Sequence, residues 1–190
     1  MMRIITGKAR GVRLKTLDGE NTRPTSERVK EAVFSMLQFD IEGREVLDLF
    51  AGSGQMALEA ISRGAAHATL VDKSKDAVKI IEDNMIKTKL APWCTLKQFD
   101  CLDYIRRSRV ERFDIVFIDP PYASGLYRPV LRALLEANML KPTTLIVCES
   151  DTDAIFGDDS ELAEKFEIKR TSRYSKTVIN ILTPSALSEV

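Results

Sequence analysis

The 190-residue sequence predicts an α/β fold: a doubly wound domain of seven strands, mostly parallel, closed by a C-terminal antiparallel hairpin. Three observations carry this. Short apolar runs alternate with segments of helical periodicity. One run, Phe113–Ile118 (FDIVFI), is almost wholly apolar, as suits a strand buried on both faces. Two β-rich runs, 166–171 and 177–182, flank a polar turn at 172–176.

Each element follows from its residues. Residues 3–6 and 12–16 are short apolar-rich pieces set apart by Gly7 and Gly11, a small hairpin or extended arm. Residues 21–24 form a loop, because the residue before Pro24 avoids helical backbone. Thr25 or Ser26 then caps a helix in which Val29, Ala32, Val33, Met36 and Leu37 share one face. Residues 45–50 (EVLDLF) read as a strand. Residues 53–63 read as a helix with Met56, Ala57, Ala60 and Ile61 inward and Gly64 as its stop. A strand at 68–71 ends at Asp72. Ser74 caps a helix running to Lys89, with Ala77, Ile80, Ile81 and Met85 inward. A strand at 95–99, a short helix at 102–107 and the strand at 113–118 follow. A helix at 127–138 and a strand at 144–148 lead to the closing hairpin. The expected division is a basic arm, 1–22, appended to an α/β domain, 23–184, with a tail, 185–190.

Composition excludes several classes. With 44% hydrophobic and 29% charged residues, the chain is not a disordered tail protein. No apolar run approaches the ~18–20 residues of a membrane-spanning helix. The N-terminal apolar stretch breaks too early for a secretory signal, so a cytoplasmic location is expected. Cys94, Cys101 and Cys148 are odd in number and lack C-x-x-C spacing, and His67 is the single histidine. Neither a disulfide framework nor a metal site is expected. The net charge is zero but uneven: residues 1–30 hold eight Lys/Arg against three acids, which leaves the remainder with the opposite excess. A basic arm of this kind suits a polyanionic partner, although a solvated terminus explains charge alone equally well.

Two motifs carry chemistry. Asp48 and Phe50 lead from the strand into Ala51-Gly52-Ser53-Gly54-Gln55-Met56-Ala57 and a helix, a G-x-G-x-x-A loop. Gly52 permits the tight turn and Gly54 lets backbone approach a ligand. Asp72, at the end of the next strand, suits a ribose diol. A dinucleotide and S-adenosylmethionine both fit. Asp48 would repel a pyrophosphate but could take hydrogen bonds from an ammonium, which favours S-adenosylmethionine. The second motif, Asp119-Pro120-Pro121-Tyr122, follows FDIVFI. Its prolines make a rigid turn with free carbonyls. Asp119 and the Pro120 carbonyl can accept both hydrogens of an exocyclic amine, directing its lone pair at a methyl donor. That interaction strengthens as charge develops on nitrogen. Tyr122 can stack on the base.

With these motifs in place, Arg3-Ile-Ile-Thr-Gly-Lys-Ala-Arg-Gly, Arg23-Pro-Thr-Ser-Glu-Arg-Val-Lys-Glu-Ala-Val-Phe and LDLFAGSG continuing to Leu58-Glu-Ala-Ile-Ser-Arg-Gly-Ala together resemble the RsmD family of 16S rRNA guanine-N2 methyltransferases. The resemblance spans roughly residues 3–182. It implies a class I, Rossmann-like methyltransferase fold and S-adenosylmethionine as donor. It also implies 16S rRNA as partner, within a 30S subunit or an assembly intermediate. By motif, Arg23, Pro24 and Thr25 would border the cofactor and Gly52 and Gly54 would cradle it. Asp72, followed by Lys73, would bind the ribose, and Asp100, followed by Cys101, the adenine. Arg3, Lys8, Arg10 and Arg13 would grip RNA. Two departures stand out: Gln55-Met56-Ala57 replaces the smaller Ala-Leu-Gly, and Asp72 replaces a glutamate. Competing readings are an adenine-N6 or protein-glutamine methyltransferase, a nicotinamide-dependent oxidoreductase, and a catalytically idle RNA-binding module. The oxidoreductase lacks a Tyr-x-x-x-Lys pair.

Overall fold

A computed structural model describes residues 2–17, 27–108, 111–121 and 124–185. The chain forms two compact units, Met1–Asp100 and Cys101–Val190. Among the described residues there are seven strands, with helices between the parallel ones, as the alternation predicts.

In the first unit, α1 (Glu27–Met36) precedes β1 (Glu45–Asp48), α2 (Gln55–Ser62), β2 (His67–Asp72), α3 (Lys75–Thr88) and β3 (Cys94–Gln98). The strands run parallel in the order β3-β2-β1, with Glu45 opposite His67 and Ala68 opposite Cys94. Val33, Val46, Leu47, Leu58, Leu70, Val71 and Ile81 are buried in its core. Ser74 caps α3 as predicted, its side chain accepting from Ala77 N, and Lys89 ends it in left-handed backbone. A 3-10 turn, Ala91–Trp93, joins α3 to β3. No periodic signal exists for so short a piece.

The N-terminal segment departs from expectation. It is a hairpin, with Arg3 bridged to Arg13, but it is no appendage. Ile5 N and Thr6 N donate to the two carboxylate oxygens of Glu59, at 2.7 and 3.0 Å. Lys8 N donates to Ser62 O and Ala9 N to Ser62 Oγ, satisfying groups at the end of α2. Gly7 makes this close approach possible: its φ is +86°, and a Cβ there would lie 1.7 Å from Ser62 O. Ile4, Ala9 and Leu14 are buried. Lys30 is fully buried beneath the hairpin, donating to Arg3 O at 2.6 Å with Glu59 3.7 Å away. Burial lowers the Lys30 pKa, and Glu59 and then Glu27 oppose that shift.

In the second unit, α4 (Cys101–Arg107), β4 (Phe113–Ile118), α5 (Tyr127–Glu136), β5 (Leu140–Ser150), α6 (Ser160–Glu164), β6 (Phe166–Tyr174) and β7 (Thr177–Pro184) follow. Strand order is β4-β5-β7-β6. β4 and β5 are parallel, whereas β5 with β7 and β7 with β6 are antiparallel, which is the predicted closing hairpin. All six residues of β4 are buried. β5 begins four residues before its predicted start, through an irregularity between Phe113 and Ile115 that brings Leu140 opposite Phe113.

Candidate active site

The carboxyl end of β1 runs directly into the glycine loop. Gly52 and Gly54 have φ of +55° and +77°, so both need the conformational freedom of glycine. A Cβ on Gly54 would also lie 3.1 Å from Leu70 Cδ2. Gly54 stands at the N-cap of α2 and offers no side chain to its free N–H groups. Asp48 supplies one, accepting from the N–H groups of Phe50 and Ala57. The turn-stabilising and ligand-binding roles considered for Asp48 are thus compatible. Burial pushes its carboxyl up to about 7, with the Asp72 charge adding to the rise and the two N–H donors opposing it.

Asp72 stands at the end of β2. Its Oδ2 accepts from Gly52 N at 2.8 Å and its Oδ1 from Ser74 N at 2.9 Å. The acid therefore ties the glycine loop to the next helix, and each oxygen keeps a lone pair for a further donor. Lys73 beside it is exposed. Phe99 N donates to Asp72 O, so Asp100 follows next to the same strand end. Phe50, Ala51 and Gly52 line the entry to the loop, with Ala51 buried. Cys101, the first residue of α4 in the second unit, is a buried thiol.

Sequence reasoning missed two buried polar side chains that shape this loop. Asn84 of α3 is fully buried. Its Oδ1 accepts from Lys15 N, and its Nδ2 donates to Lys15 O and to Ser53 O, at 2.8, 3.0 and 2.8 Å. One amide thus fixes the N-terminal hairpin and the glycine loop to the same helix. Its place in the predicted helix, one position before the inward Met85, was the available signal. The second is Gln55, buried with its Oε1 lacking a hydrogen-bond partner among the described residues. That orphaned acceptor stands directly after the glycine loop.

In the second unit, Asp119 and Pro120 leave the carboxyl end of β4, Asp119 half-buried and Pro120 buried. Pro121 is exposed, and its carbonyl accepts from Ser124 N. Tyr122 and the cofactor-bordering Arg23, Pro24 and Thr25, with the proposed cap at Thr25 or Ser26, lie outside the described residues. Among the RNA candidates, Arg3 is ion-paired with Glu27 at 3.4 Å. Lys8, Arg10 and Arg13 are exposed, and none makes an ion pair among the described residues.

The donor set suits one ligand class. Two carboxylates and an orphaned carbonyl oxygen around a glycine loop accept hydrogens and favour positive charge, which an ammonium and a ribose diol supply. A pyrophosphate would meet Asp48 and Asp72 as like charges.

Residues 2–183 match the family described as Conserved hypothetical protein 95. The ribosomal RNA small subunit methyltransferase D of Haemophilus influenzae is 37% identical over 158 residues, 80% of each chain. Its namesake in Escherichia coli K12 is 34% identical over 152 residues, 80% of this chain and 76% of that one. The solved structure of the Escherichia coli protein yhhF superposes with a TM-score of 0.83 and 28% identity, covering 97% of this chain and 98% of the other.

Proposed function

This chain belongs to the Conserved hypothetical protein 95 family, the RsmD family of rRNA methyltransferases, and from that premise we propose that it methylates the exocyclic N2 amine of one guanine in 16S rRNA. S-adenosylmethionine, when bound, supplies a methyl group on a sulfonium. The family and the donor set of the first unit both support that cofactor. Asp48 would take the ammonium end and Asp72 the ribose hydroxyls. Gly52 and Gly54 would let the loop backbone close on the ligand.

The observation that carries the acceptor assignment is the Asp119-Pro120-Pro121 turn at the carboxyl end of a fully buried strand. Pro120 lacks an N–H, so this residue brings an acceptor and no donor to the turn. Asp119 and the Pro120 carbonyl would hold the two hydrogens of an amine whose lone pair is otherwise delocalised into the ring. Holding them this way stabilises the developing ammonium more than the neutral amine. The chain's own part in the reaction is then alignment, exclusion of water and acceptance of the released proton by Asp119 or solvent. Tyr122 would stack on the guanine face.

The 30S subunit or an assembly intermediate is the proposed form of the substrate, because the basic residues 8, 10 and 13 stand outside the glycine loop and offer grip to RNA beyond one nucleotide. The test is nucleoside mass spectrometry of 16S rRNA from cells with and without the protein. Loss of one N2-methylguanosine on deletion, restored by the gene, is expected. An unchanged set of methylated nucleosides overturns the proposal.

A further inference from the structure

One aromatic surface of the first unit has no part in the cofactor site. Trp93 is 41% exposed, a large fraction for the chain's single tryptophan. Lys8 Nζ stands 5.3 Å from its ring centroid, a cation–π contact. Lys8 and Arg10 occupy the hairpin tip. Lys87 and Lys89, on the last turn of α3 and its cap, lead into the 3-10 turn that carries Trp93. All four are exposed, and none is in an ion pair among the described residues, unlike Lys15 with Asp83 or Arg3 with Glu27. No acid occurs in residues 4–17 or 84–93.

The topology places this surface far from the donor loop. Trp93 immediately precedes β3 and so lies at the amino ends of the parallel strands, whereas Asp72 and Asp100 lie at the carboxyl ends. The hairpin tip is bonded to Ser62, the last residue of α2, while the glycine loop opens the first. The eight residues of α2 alone separate them by about 12 Å.

We propose that Trp93, with Lys8 over its ring and Arg10, Lys87 and Lys89 on the hairpin tip and the adjoining end of α3, is a second RNA contact that stacks an unpaired base and holds its flanking phosphates. The inference rests on the rRNA-methyltransferase reading and deepens it. An aromatic face with a lysine over it, beside exposed basic residues that make no ion pair among the described residues, suits nucleic acid, since protein interfaces are depleted in lysine at their cores. The base bound there is distinct from a ligand of the glycine loop, which opens at the other end of α2. RNA gripped at this surface as well as at its methylated nucleotide is held at two points, so a nucleoside or short oligonucleotide that offers only one of them is a poor substrate.

Because Trp93 is the only tryptophan, intrinsic fluorescence reports on it alone. The full chain is titrated with an unmodified 16S rRNA transcript and, separately, with S-adenosylmethionine. RNA should quench the emission and shield it from acrylamide, and the cofactor should do neither. Trp93→Ala should weaken RNA binding at least about tenfold, with Trp93→Phe recovering most of it. Joint replacement of Lys8 and Arg10 by alanine should reduce the salt slope of RNA binding by about two. Cofactor affinity should be unchanged in all three variants, which also shows that they fold. If wild type binds and methylates the RNA while its fluorescence is unmoved and Trp93→Ala binds normally, the second contact is refuted and the methyltransferase reading stands. If a ribosomal protein, but not RNA, moves the fluorescence, the surface is a protein site and the inference fails. If wild type neither binds nor methylates rRNA in free or particle form, the underlying reading fails and takes the inference with it.

Discussion

Replacing Asp48 with asparagine tests whether its buried carboxyl awaits a cation. Asp48 is nearly inaccessible and holds the N–H groups of Phe50 and Ala57, yet burial still lifts its pKa from 3.8 to about 7. At about 1.4 kcal/mol per pH unit, that rise reflects ~4 kcal/mol of unfavourable ionisation in the unliganded protein. An ammonium placed against the carboxylate favours the ionised form, so binding releases a proton below pH 7. Cofactor affinity should rise up to about tenfold per pH unit toward pH 7, then fall above about pH 8 as the ligand's α-amino group titrates. Asp48→Asn keeps the size of the side chain but not its charge. Losing a charge-assisted contact of about 1.5–3 kcal/mol should weaken binding roughly 10- to 150-fold at pH 7.5 and abolish the acid limb. Calorimetry across pH 5.5–8.5, a range of about three units around the transition, in buffers of different ionisation enthalpy reads both effects. The same carboxyl contributes a loss of stability to the unliganded protein as pH rises from about 4 to about 7. In that window the folded state retains a proton that the unfolded chain has released. Equal affinity at pH 5.5 and 7, or an acid limb surviving in Asp48→Asn, would refute the assignment.

Four further outcomes follow from the same geometry. Asp119→Ala should retain cofactor affinity by calorimetry while single-turnover methyl transfer falls on the order of 10²–10³-fold. Asp72→Ala should weaken S-adenosylmethionine by tens-fold or more, because it removes the ribose acceptor and also frees Gly52 N; transfer at saturating cofactor should change little. Asn84→Ala should lower stability by ~2–4 kcal/mol in urea unfolding, since three hydrogen bonds, one buried and two partly buried, lose their partner, and the loosened Ser53 carbonyl should raise the cofactor Kd. Gly7→Ala forces a Cβ against Ser62 O, so the hairpin should detach; amide exchange at residues 5, 6, 8 and 9 should speed up and RNA binding should fall.

The α/β alternation was legible because its elements announce themselves locally. β4 appears with the boundaries its apolar run predicts, and α3 with its serine cap. The carboxyl-end motifs were legible for the same reason: Asp48, Gly52, Gly54, Asp72 and Asp119 stand at strand ends or on the glycine loop, which short patterns reveal. What sequence reading missed depends on distant partners. Glu59, Lys30 and Asn84 are polar residues on helices, and polarity ordinarily marks an outward face. Here they are buried because the backbone of the hairpin, 27 to 69 positions away in sequence, needs their donors and acceptors. Nothing in a local pattern reports such a partner. The same absence made the hairpin look like an appendage, although its charges are exposed and its backbone is anchored. Residues 160–164 form a helix of little more than one turn, too short for periodicity to signal.

Methyl transfer to an exocyclic guanine amine in small-subunit rRNA is the proposed activity. To test it, the purified protein is incubated with S-adenosylmethionine labelled on its methyl group and small-subunit particles or 16S rRNA lacking this modification. The RNA is then digested and the labelled nucleoside identified. Label is expected in N2-methylguanosine alone, at a single position. Label in N6-methyladenosine or in a ribosomal protein, or no transfer to either form of the substrate, would contradict it.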